Sequence, residues 1–176
     1  SVYDNFGIDG FKKLRGMFAF ALFDKKREEL IIGRDPFGIK PIYFCIKNGT
    51  FIYSSEPQSI IKSKLFNPNV DFKKVKELLQ LQFCSGRETI FKGIYRLRPG
   101  EILIIKDGNI SESHIFQKTK SLKKTEINDD DILEKLKESV SIHQRSDVPY
   151  GLFFSGGIDS TIVLYLMSLI NKSVNS

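Results

Sequence analysis

The chain has 176 residues, of which 41% are hydrophobic and 15 are Phe, and it carries a formal charge of +6. This length suits one domain or two small ones, and the many aromatic residues exclude an intrinsically disordered chain. The Lys-rich patches at 118–120 and 123–124 fall in a polar stretch that we interpret as a solvated linker. Since no RNA- or DNA-binding module accompanies them, the sequence does not predict nucleic-acid binding.

Strand signals dominate the first two thirds of the chain. After a helix end and loop at 4–14, the apolar run Met17 to Phe23 is predicted to be a strand. Because both of its faces are apolar, we expect it to be covered on both sides. Leu30 to Ile32 predicts the next strand. Asn48-Gly49 and Asp107-Gly108 each lie between apolar runs and predict two hairpins.

Helical patterns appear at three places. Residues 57–64 predict two turns, and Asp71 is predicted to cap a helix with an apolar face. That face consists of Phe72, Val75, Leu78 and Leu79. Residues 129–145 predict an amphipathic helix with acidic residues in its first turn, which suits the helix dipole. Its apolar stripe consists of Ile132, Leu133, Leu136 and Val140, and we interpret His143 as a packed or capped helix residue rather than a catalytic one.

The most informative stretch lies near residue 155. Gly151 to Phe154 predicts a short buried strand, Ser155-Gly156-Gly157 a tight turn, and Ile162 to Ile170 a helix. A strand that passes through a Gly-rich turn into a helix forms an anion site, because the first N–H groups of the helix have no internal partners. The hydroxyls of Ser155, Ser160 and Thr161 add possible donors.

Asp159 adds a metal to this prediction. A carboxylate beside a phosphate site repels the ligand unless a cation lies between them, and Mg²⁺ is the simplest such ion. The sequence lacks the Lys of a P-loop and the G-x-G-x-x-G of a dinucleotide fold. Residue 153 is Phe, so Ser155 does not match a G-x-S-x-G nucleophile.

The sequence also argues against a membrane protein and against a metal site formed by cysteines. The uninterrupted apolar parts 151–154 and 161–167 are far shorter than the roughly 20 residues that a membrane span needs. Cys45 and Cys84 match no metal spacing. We expect them to be buried free thiols in a reducing compartment, and the resulting localisation is cytoplasmic.

The stretch from 155 to 160 resembles the S-G-G-x-D-S loop of the ATP-pyrophosphatase (PP-loop) enzymes. The preceding Ser-Asp-Val-Pro-Tyr-Gly at 146–151 narrows the resemblance to the glutamine-hydrolysing asparagine synthetases. In that family, AMP is transferred from ATP to the aspartate side chain, and ammonia then attacks the β-aspartyl-AMP. The resemblance implies that five residues bind ATP by holding its pyrophosphate part: Ser155, Gly156, Gly157, Ile158 and Ser160. It also implies Mg²⁺ on Asp159 and an adenine-side position for Phe153.

Four earlier stretches resemble the later half of a class II glutamine amidotransferase domain. They are 15–22, 34–43, 55–56 and 96–100. The resemblance implies an α/β chain: residues 1–116 are the later part of a layered α/β/β/α domain of the N-terminal-nucleophile type. Residues 117–128 are a linker, and residues 129–176 are the start of a doubly wound α/β PP-loop domain.

The glutaminase nucleophile of such a domain is an N-terminal Cys whose own α-amino group is the base. Residue 1 is Ser, and neither cysteine has a free α-amine. No catalytic residue is therefore assigned. We interpret the chain as an internal fragment and expect no glutaminase activity from it alone.

The resemblance implies aspartate, glutamine and ATP as substrates, no membrane and no nucleic-acid partner, and a possible homodimer at full length. Two alternatives stay open. One is a related enzyme that amidates another carboxylate, such as a sugar acid or a β-lactam precursor. The other is a non-catalytic nucleotide-binding remnant.

Overall fold

The structure, a computed structural model, describes residues 1–116 and 128–171. They fall into two units, one formed by 1–116 and the other by 128–171. The predicted linker at 117–128 lies outside the described residues except for Asn128, and so do the Lys-rich patches. The chain is mixed α/β with two antiparallel sheets, both in the first unit.

The first unit contains seven strands and three α-helices among its described residues. The strands are β1 (Ala19–Asp24), β2 (Glu29–Arg34), β3 (Tyr43–Lys47), β4 (Thr50–Ser54), β5 (Tyr95–Arg96), β6 (Glu101–Lys106) and β7 (Asn109–Ile115). The helices are α1 (Val2–Phe6), α2 (Pro57–Lys62) and α3 (Phe72–Leu81), with a 3-10 helix at Gly7–Lys13. One sheet has the order β1-β2-β6-β7 and the other β4-β3-β5.

Both predicted hairpins are confirmed. Asn48 and Gly49, with φ of 49° and 71°, join β3 to β4, while Asp107 and Gly108, with φ of 49° and 72°, join β6 to β7. A tight hairpin needs two successive residues with positive φ, and Asn, Asp and Gly adopt this conformation more readily than other residues. The turn chemistry alone therefore places these four strands.

The core forms three clusters on alternate faces of the strands. Ile32 and Phe44, from different sheets, share one cluster, so the two sheets face each other there. Their chain neighbours point the opposite way, as the period of a strand requires. Ile31 packs with Phe11 on the side of the 3-10 helix, and Cys45 packs with Ile60 of α2.

The expectation for the strand at 17–23 is wrong in part. The strand begins at Ala19, and Phe23 remains 59% exposed. Ala19 packs on the intersheet cluster, while Phe20 and Leu22 pack on the opposite face. The face that carries Phe23 is therefore largely uncovered at the end of β1.

Helix α3 follows its prediction at the cap but not along its apolar face. A carboxylate oxygen of Asp71 accepts the backbone N–H groups of Lys73 and Lys74. Phe72 and Leu79, however, are 79% and 72% exposed. The pattern thus predicted the helix and its start, but not which apolar residues are buried.

The second unit contains α4 (Asp129–His143) and α5 (Ile158–Ile170), which pack against each other. Asn128 caps α4 by accepting the N–H of Asp130. Leu166 and Met167 of α5 are buried, whereas Ile162 and Leu169 are exposed. Helix α5 is therefore only partly covered by the described residues.

The prediction of a buried strand at Gly151 to Phe154 is wrong. Gly151 forms only an isolated bridge, residues 152–155 are irregular, and Phe153 is fully exposed. Among the described residues no strand runs beside this segment, and an extended segment without a partner has nowhere to direct its backbone hydrogen bonds. Helix α5 also starts earlier than predicted, at Ile158.

Candidate functional site

The candidate site is the turn from 155 to 160, at the start of α5. Gly157 is the N-cap of the helix, and it has no side chain that could accept the first N–H groups of the helix. The first helical bond runs from the N–H of Thr161 to the carbonyl of Gly157. The N–H groups of Ile158, Asp159 and Ser160 therefore have no acceptor within the helix and remain available to an anion.

Gly156 gives this turn its shape. Its φ is 76°, a conformation that side chains with a Cβ rarely adopt. A Cβ built on Gly156 would meet no described atom within 4 Å, so the space above the turn is open. The glycine is needed for the backbone conformation, and the open space leaves room for a ligand.

The hydroxyls of Ser155 and Ser160 meet across the turn, with 3.1 Å between their Oγ atoms. The N–H of Gly157 donates to Ser155 Oγ at 3.4 Å, and Ser160 Oγ donates to the carbonyl of Gly157 at 3.0 Å. Both serines were predicted from the sequence, and the structure brings them together. Two hydroxyls and three free N–H groups make this turn a donor-rich site, as phosphate oxygens require.

Asp159 lies exposed in the first turn of α5. The described residues contain no group of three or more His, Cys, Asp and Glu side chains able to hold a metal by themselves. One carboxylate beside an anion site suits Mg²⁺, which is commonly held by one or two carboxylates together with phosphate oxygens and water. The donor set thus fits Mg²⁺ that arrives with a phosphate ligand.

Phe153 precedes the turn, and its side chain is 103% exposed, so the whole ring is accessible. Phe154 is half exposed. An exposed ring beside an anion site offers a stacking surface for a flat ring.

In the first unit, the loop after β2 is a scaffold built around two buried charges. Arg34 donates to the carbonyls of Gly38, Lys40 and Leu97. Asp35 accepts the N–H groups of Phe37, Ile39 and Lys40. Both side chains form hydrogen bonds with backbone groups of this loop and its neighbours, which favours a structural role over a catalytic one.

The pKa values of these two groups reflect burial and backbone contacts. Burial is the main cause that lowers the pKa of Arg34, since it disfavours the charged form. Burial alone would raise the pKa of Asp35, but the N–H groups of Lys40, Ile39 and Phe37 outweigh it. The pKa of Asp35 therefore lies below its ordinary value.

Glu101 was not singled out by the sequence patterns. It is fully buried and accepts hydrogen bonds from Arg87, Arg98 and Ser113. Burial raises its pKa, but Arg98, Arg87 and Ser113 outweigh that effect, so its pKa is lowered. The available signal was a Glu at the start of an otherwise apolar strand, and a charge there must be paired.

No nucleophile is found among the candidate residues of the first unit. Cys45 is fully buried, and burial raises the pKa of its thiol. The prediction of a buried free thiol is confirmed for Cys45, whereas Cys84 is only partly buried. Ser1 caps α1 in a reciprocal contact with Asp4. In the second unit, His143 is exposed rather than packed, and its ring contacts the carbonyl of Ser139, one turn earlier in α4.

Comparison with known families explains the two units. Residues 1–116 match the family described as "Glutamine amidotransferase domain", and residues 131–176 match the family described as "Asparagine synthase". The chain belongs to the glutamine amidotransferase family. In this chain the amidotransferase domain is followed by the start of an asparagine synthase domain.

Individual relatives point to the same pairing. Asparagine synthetase [glutamine-hydrolyzing] 1 of Bacillus subtilis is 30% identical over 100% of this chain and 28% of the relative. Putative asparagine synthetase [glutamine-hydrolyzing] 2 of Methanocaldococcus jannaschii is 33% identical over 94% of this chain and 33% of the relative. Amidase chry2 of Gibberella zeae is 30% identical over 98% and 26%. The chain thus spans about a third or less of these relatives.

Helix length bears on the membrane question. Among the described helices, none is long and apolar enough to cross a bilayer.

Proposed function

We propose that this chain is part of a glutamine-dependent asparagine synthetase, which makes asparagine from aspartate, ATP and ammonia derived from glutamine. One observation carries the proposal: a donor-rich turn with an adjacent carboxylate opens α5, in the same chain as an amidotransferase domain. The activity is proposed for the whole protein, because the chain spans only 28% of the Bacillus subtilis relative.

In this proposal the turn holds the pyrophosphate part of ATP. The N–H groups of Gly156, Gly157 and Ile158 and the hydroxyls of Ser155 and Ser160 donate to the phosphate oxygens. The open space over Gly156 and the free N–H of Ile158 support these roles, whereas the N–H of Gly157 has to leave Ser155 Oγ to reach a phosphate oxygen. Such donors favour bond cleavage because they are fixed before charge develops on the leaving group.

Asp159 holds Mg²⁺ and Phe153 contacts the adenine. Mg²⁺ supplies positive charge to the pyrophosphate oxygens, which lowers the cost of the charge released there. Asp159 fixes the ion beside the turn, and the exposed ring of Phe153 provides an apolar surface for the base. The adenine role of Phe153 follows the resemblance rather than a contact in the structure.

The chemistry accounts for both parts of the chain. The aspartate carboxylate attacks the α-phosphorus of ATP, a P–O bond forms, and pyrophosphate leaves. Ammonia then attacks the acyl carbon of β-aspartyl-AMP, and AMP leaves as asparagine forms. A carboxylate is a poor electrophile, so this adenylation is needed before an amide can form, and the amidotransferase domain supplies the ammonia.

The proposed architecture follows the same division. Residues 1–116 are the later part of a layered α/β/β/α amidotransferase domain, residues 117–128 a linker, and 129–176 the start of a doubly wound PP-loop domain. The three core clusters, with α2 and the 3-10 helix on opposite outer sides of the two sheets, support the layered arrangement. No glutaminase catalytic residue is assigned to this chain.

A second candidate function is the amidation of a different carboxylate, such as a sugar acid or a β-lactam precursor. It is favoured by relatives named as fungal amidases, including Amidase chry2 of Gibberella zeae and Amidase chyE of Penicillium rubens. A non-catalytic nucleotide-binding role is the third candidate.

We further propose that the protein is cytoplasmic, that its substrates are aspartate, glutamine and ATP, and that it forms a homodimer at full length.

The test uses the complete gene product that contains these residues, supplied with glutamine, MgATP and either aspartate or an alternative acid. Asparagine with equal amounts of AMP and pyrophosphate supports the proposal. Turnover of another acid only, with none of aspartate, supports the second candidate. Nucleotide binding without any turnover supports the third.

A further inference from the structure

The carbonyl of Gly157 accepts three hydrogen bonds at the start of α5. The donors are the N–H of Thr161 at 3.0 Å, the hydroxyl of Thr161 at 2.9 Å and the hydroxyl of Ser160 at 3.0 Å. A carbonyl oxygen has two lone pairs, so three donors on one oxygen are more than its usual complement. This residue is also the N-cap, and it lies within the proposed pyrophosphate site.

The orientation of this carbonyl sets the direction of a proposed phosphate donor. The carbonyl of Gly157 and the N–H of Ile158 belong to one peptide group, which is planar and trans, so the two bonds point in opposite directions. Donors that hold the carbonyl toward the helix therefore hold the N–H of Ile158 away from the helix. The N–H then faces the space in which an anion would lie.

The two hydroxyls on this carbonyl differ in what else they contact. Ser160 Oγ also lies 3.1 Å from Ser155 Oγ, so it is part of the contact across the turn. Each hydroxyl has one hydrogen to donate. When Ser160 donates to a phosphate oxygen, as proposed above, it no longer donates to Gly157, and Thr161 is the hydroxyl that stays.

Thr161 is suited to that role because its side chain is stiff. A β-branched Thr in a helix populates few χ1 rotamers, and its hydroxyl commonly bonds the carbonyl one turn earlier. The bond from Thr161 to Gly157 is of this kind, and it costs little additional conformational freedom.

We propose that Thr161 is a positioning residue of the pyrophosphate site: its hydroxyl keeps the Gly157–Ile158 peptide oriented while Ser160 turns to the ligand. The role rests on the proposed function, since it concerns the same turn. Thr161 itself donates nothing to the phosphate, in contrast to the role that the sequence suggested for its hydroxyl.

The test compares three variants of the complete gene product: Thr161→Val, Thr161→Ser and Ser168→Ala. Valine keeps the shape of Thr and removes the hydroxyl, while serine keeps the hydroxyl. Ser168 is the matched control, because its hydroxyl also donates to a carbonyl of α5, that of Tyr165 at 2.7 Å. Unlike Thr161, it lies outside the proposed pyrophosphate site. Binding of Mg²⁺ with inorganic pyrophosphate is measured by calorimetry, with the KM for ATP and the melting temperature recorded in parallel.

We expect Thr161→Val to weaken pyrophosphate binding about threefold to tenfold, the equivalent of one hydrogen bond, with a matching rise in KM and an unchanged melting temperature. Thr161→Ser and Ser168→Ala should stay within about twofold of the unsubstituted protein. If Thr161→Val lowers the melting temperature, Thr161→Ala replaces it, because Ala is the best helix former.

Two failures are distinguishable. If the unsubstituted protein binds Mg²⁺-pyrophosphate and the hydroxyl-free variant binds it equally well, the positioning role is wrong while the proposed function stands. The same holds if Thr161→Ser is as weak as Thr161→Val. If the unsubstituted protein binds no pyrophosphate, the proposed function fails and the positioning role fails with it.

Discussion

The buried carboxylate of Glu101 accepts two hydrogen bonds from Arg98, one from its guanidinium and one from its backbone N–H, each 2.9 Å long. Arg87 also donates to the carboxylate. This cluster joins the start of β6 to the segment before it, and it stabilises the amidotransferase unit.

We expect Glu101→Gln to destabilise the first unit by about 3 kcal/mol, because removing one member leaves a buried polar network incomplete. Urea unfolding followed by circular dichroism measures the change. Glu112→Gln is the control, since Glu112 pairs with His114 at the surface, and such pairs contribute about 0–1 kcal/mol. Equal effects of the two substitutions would contradict a structural role for the buried cluster.

The Glu101 cluster also predicts a pH dependence. The pKa of Glu101 is lowered from its ordinary 4.5, so the stability that it contributes is complete above about pH 4.5 and is lost as the pH falls through the folded-state pKa. The stability difference between the unsubstituted protein and Glu101→Gln should therefore shrink below pH 4.5. Urea midpoints measured from pH 3 to 7 would show it, and a constant difference would be evidence against this origin.

Arg34→Lys should destabilise the first unit by about 2 kcal/mol, because a lysine ammonium cannot reproduce the planar set of donors that serves three carbonyls. Thermal unfolding measures the loss. Arg27→Lys is the matched control, since Arg27 is largely exposed and its contact with Asp24 is 4.0 Å long. A melting temperature equal to that of the control would show that the loop after β2 does not need Arg34.

The pKa of Glu77 offers a test that does not involve stability. Hydrogen bonds from Lys74 and Ser85 lower it to about 2 from an ordinary 4.5. Lys74→Gln should move it back toward 4.5, because it removes the first of these causes. Chemical shifts of the Glu77 carboxyl carbon, followed through an acid titration, report the value. Lys62→Gln is the control, because it removes a lysine other than the one that pairs with Glu77. An unchanged pKa in Lys74→Gln would assign the shift to Ser85 instead.

Local chemistry explains which parts of the fold the sequence predicted. The turns at Asn48-Gly49 and Asp107-Gly108 and the cap at Asp71 depend on neighbouring residues only, and all three are confirmed. The exposed end of β1 and the exposed Phe72 depend on which elements lie alongside, and a periodic pattern does not contain that information.

The candidate site divides in the same way. The serines and glycines of the turn were predicted correctly because they belong to one short stretch of the chain, so neighbours in the sequence are also neighbours in the turn. The strand expected at 151–154 was not found, since a strand needs partners that the described residues do not provide. Glu101 was missed because its partners Arg87 and Arg98 lie before and after β5, in segments whose path the sequence pattern does not reveal.

Asp159→Asn tests the metal role at the proposed site. Without the negative charge, Mg²⁺ is held less firmly, and we expect adenylation by the complete gene product to fall by about a hundredfold or more. ATP–pyrophosphate exchange in the presence of aspartate measures this step. Asp147→Asn, a nearby exposed carboxylate outside the turn, is the comparison, and an equal loss in both variants would contradict a specific metal role for Asp159.

Transfer of the glutamine amide nitrogen to aspartate is the most direct test of the proposed asparagine synthetase activity. The complete gene product is incubated with amide-¹⁵N glutamine, aspartate and MgATP, and the products are identified by mass spectrometry and phosphorus NMR. We expect asparagine with ¹⁵N in its amide and equal amounts of AMP and pyrophosphate. Labelled asparagine accompanied by ADP and phosphate, or no labelled amide on any acid, would contradict it.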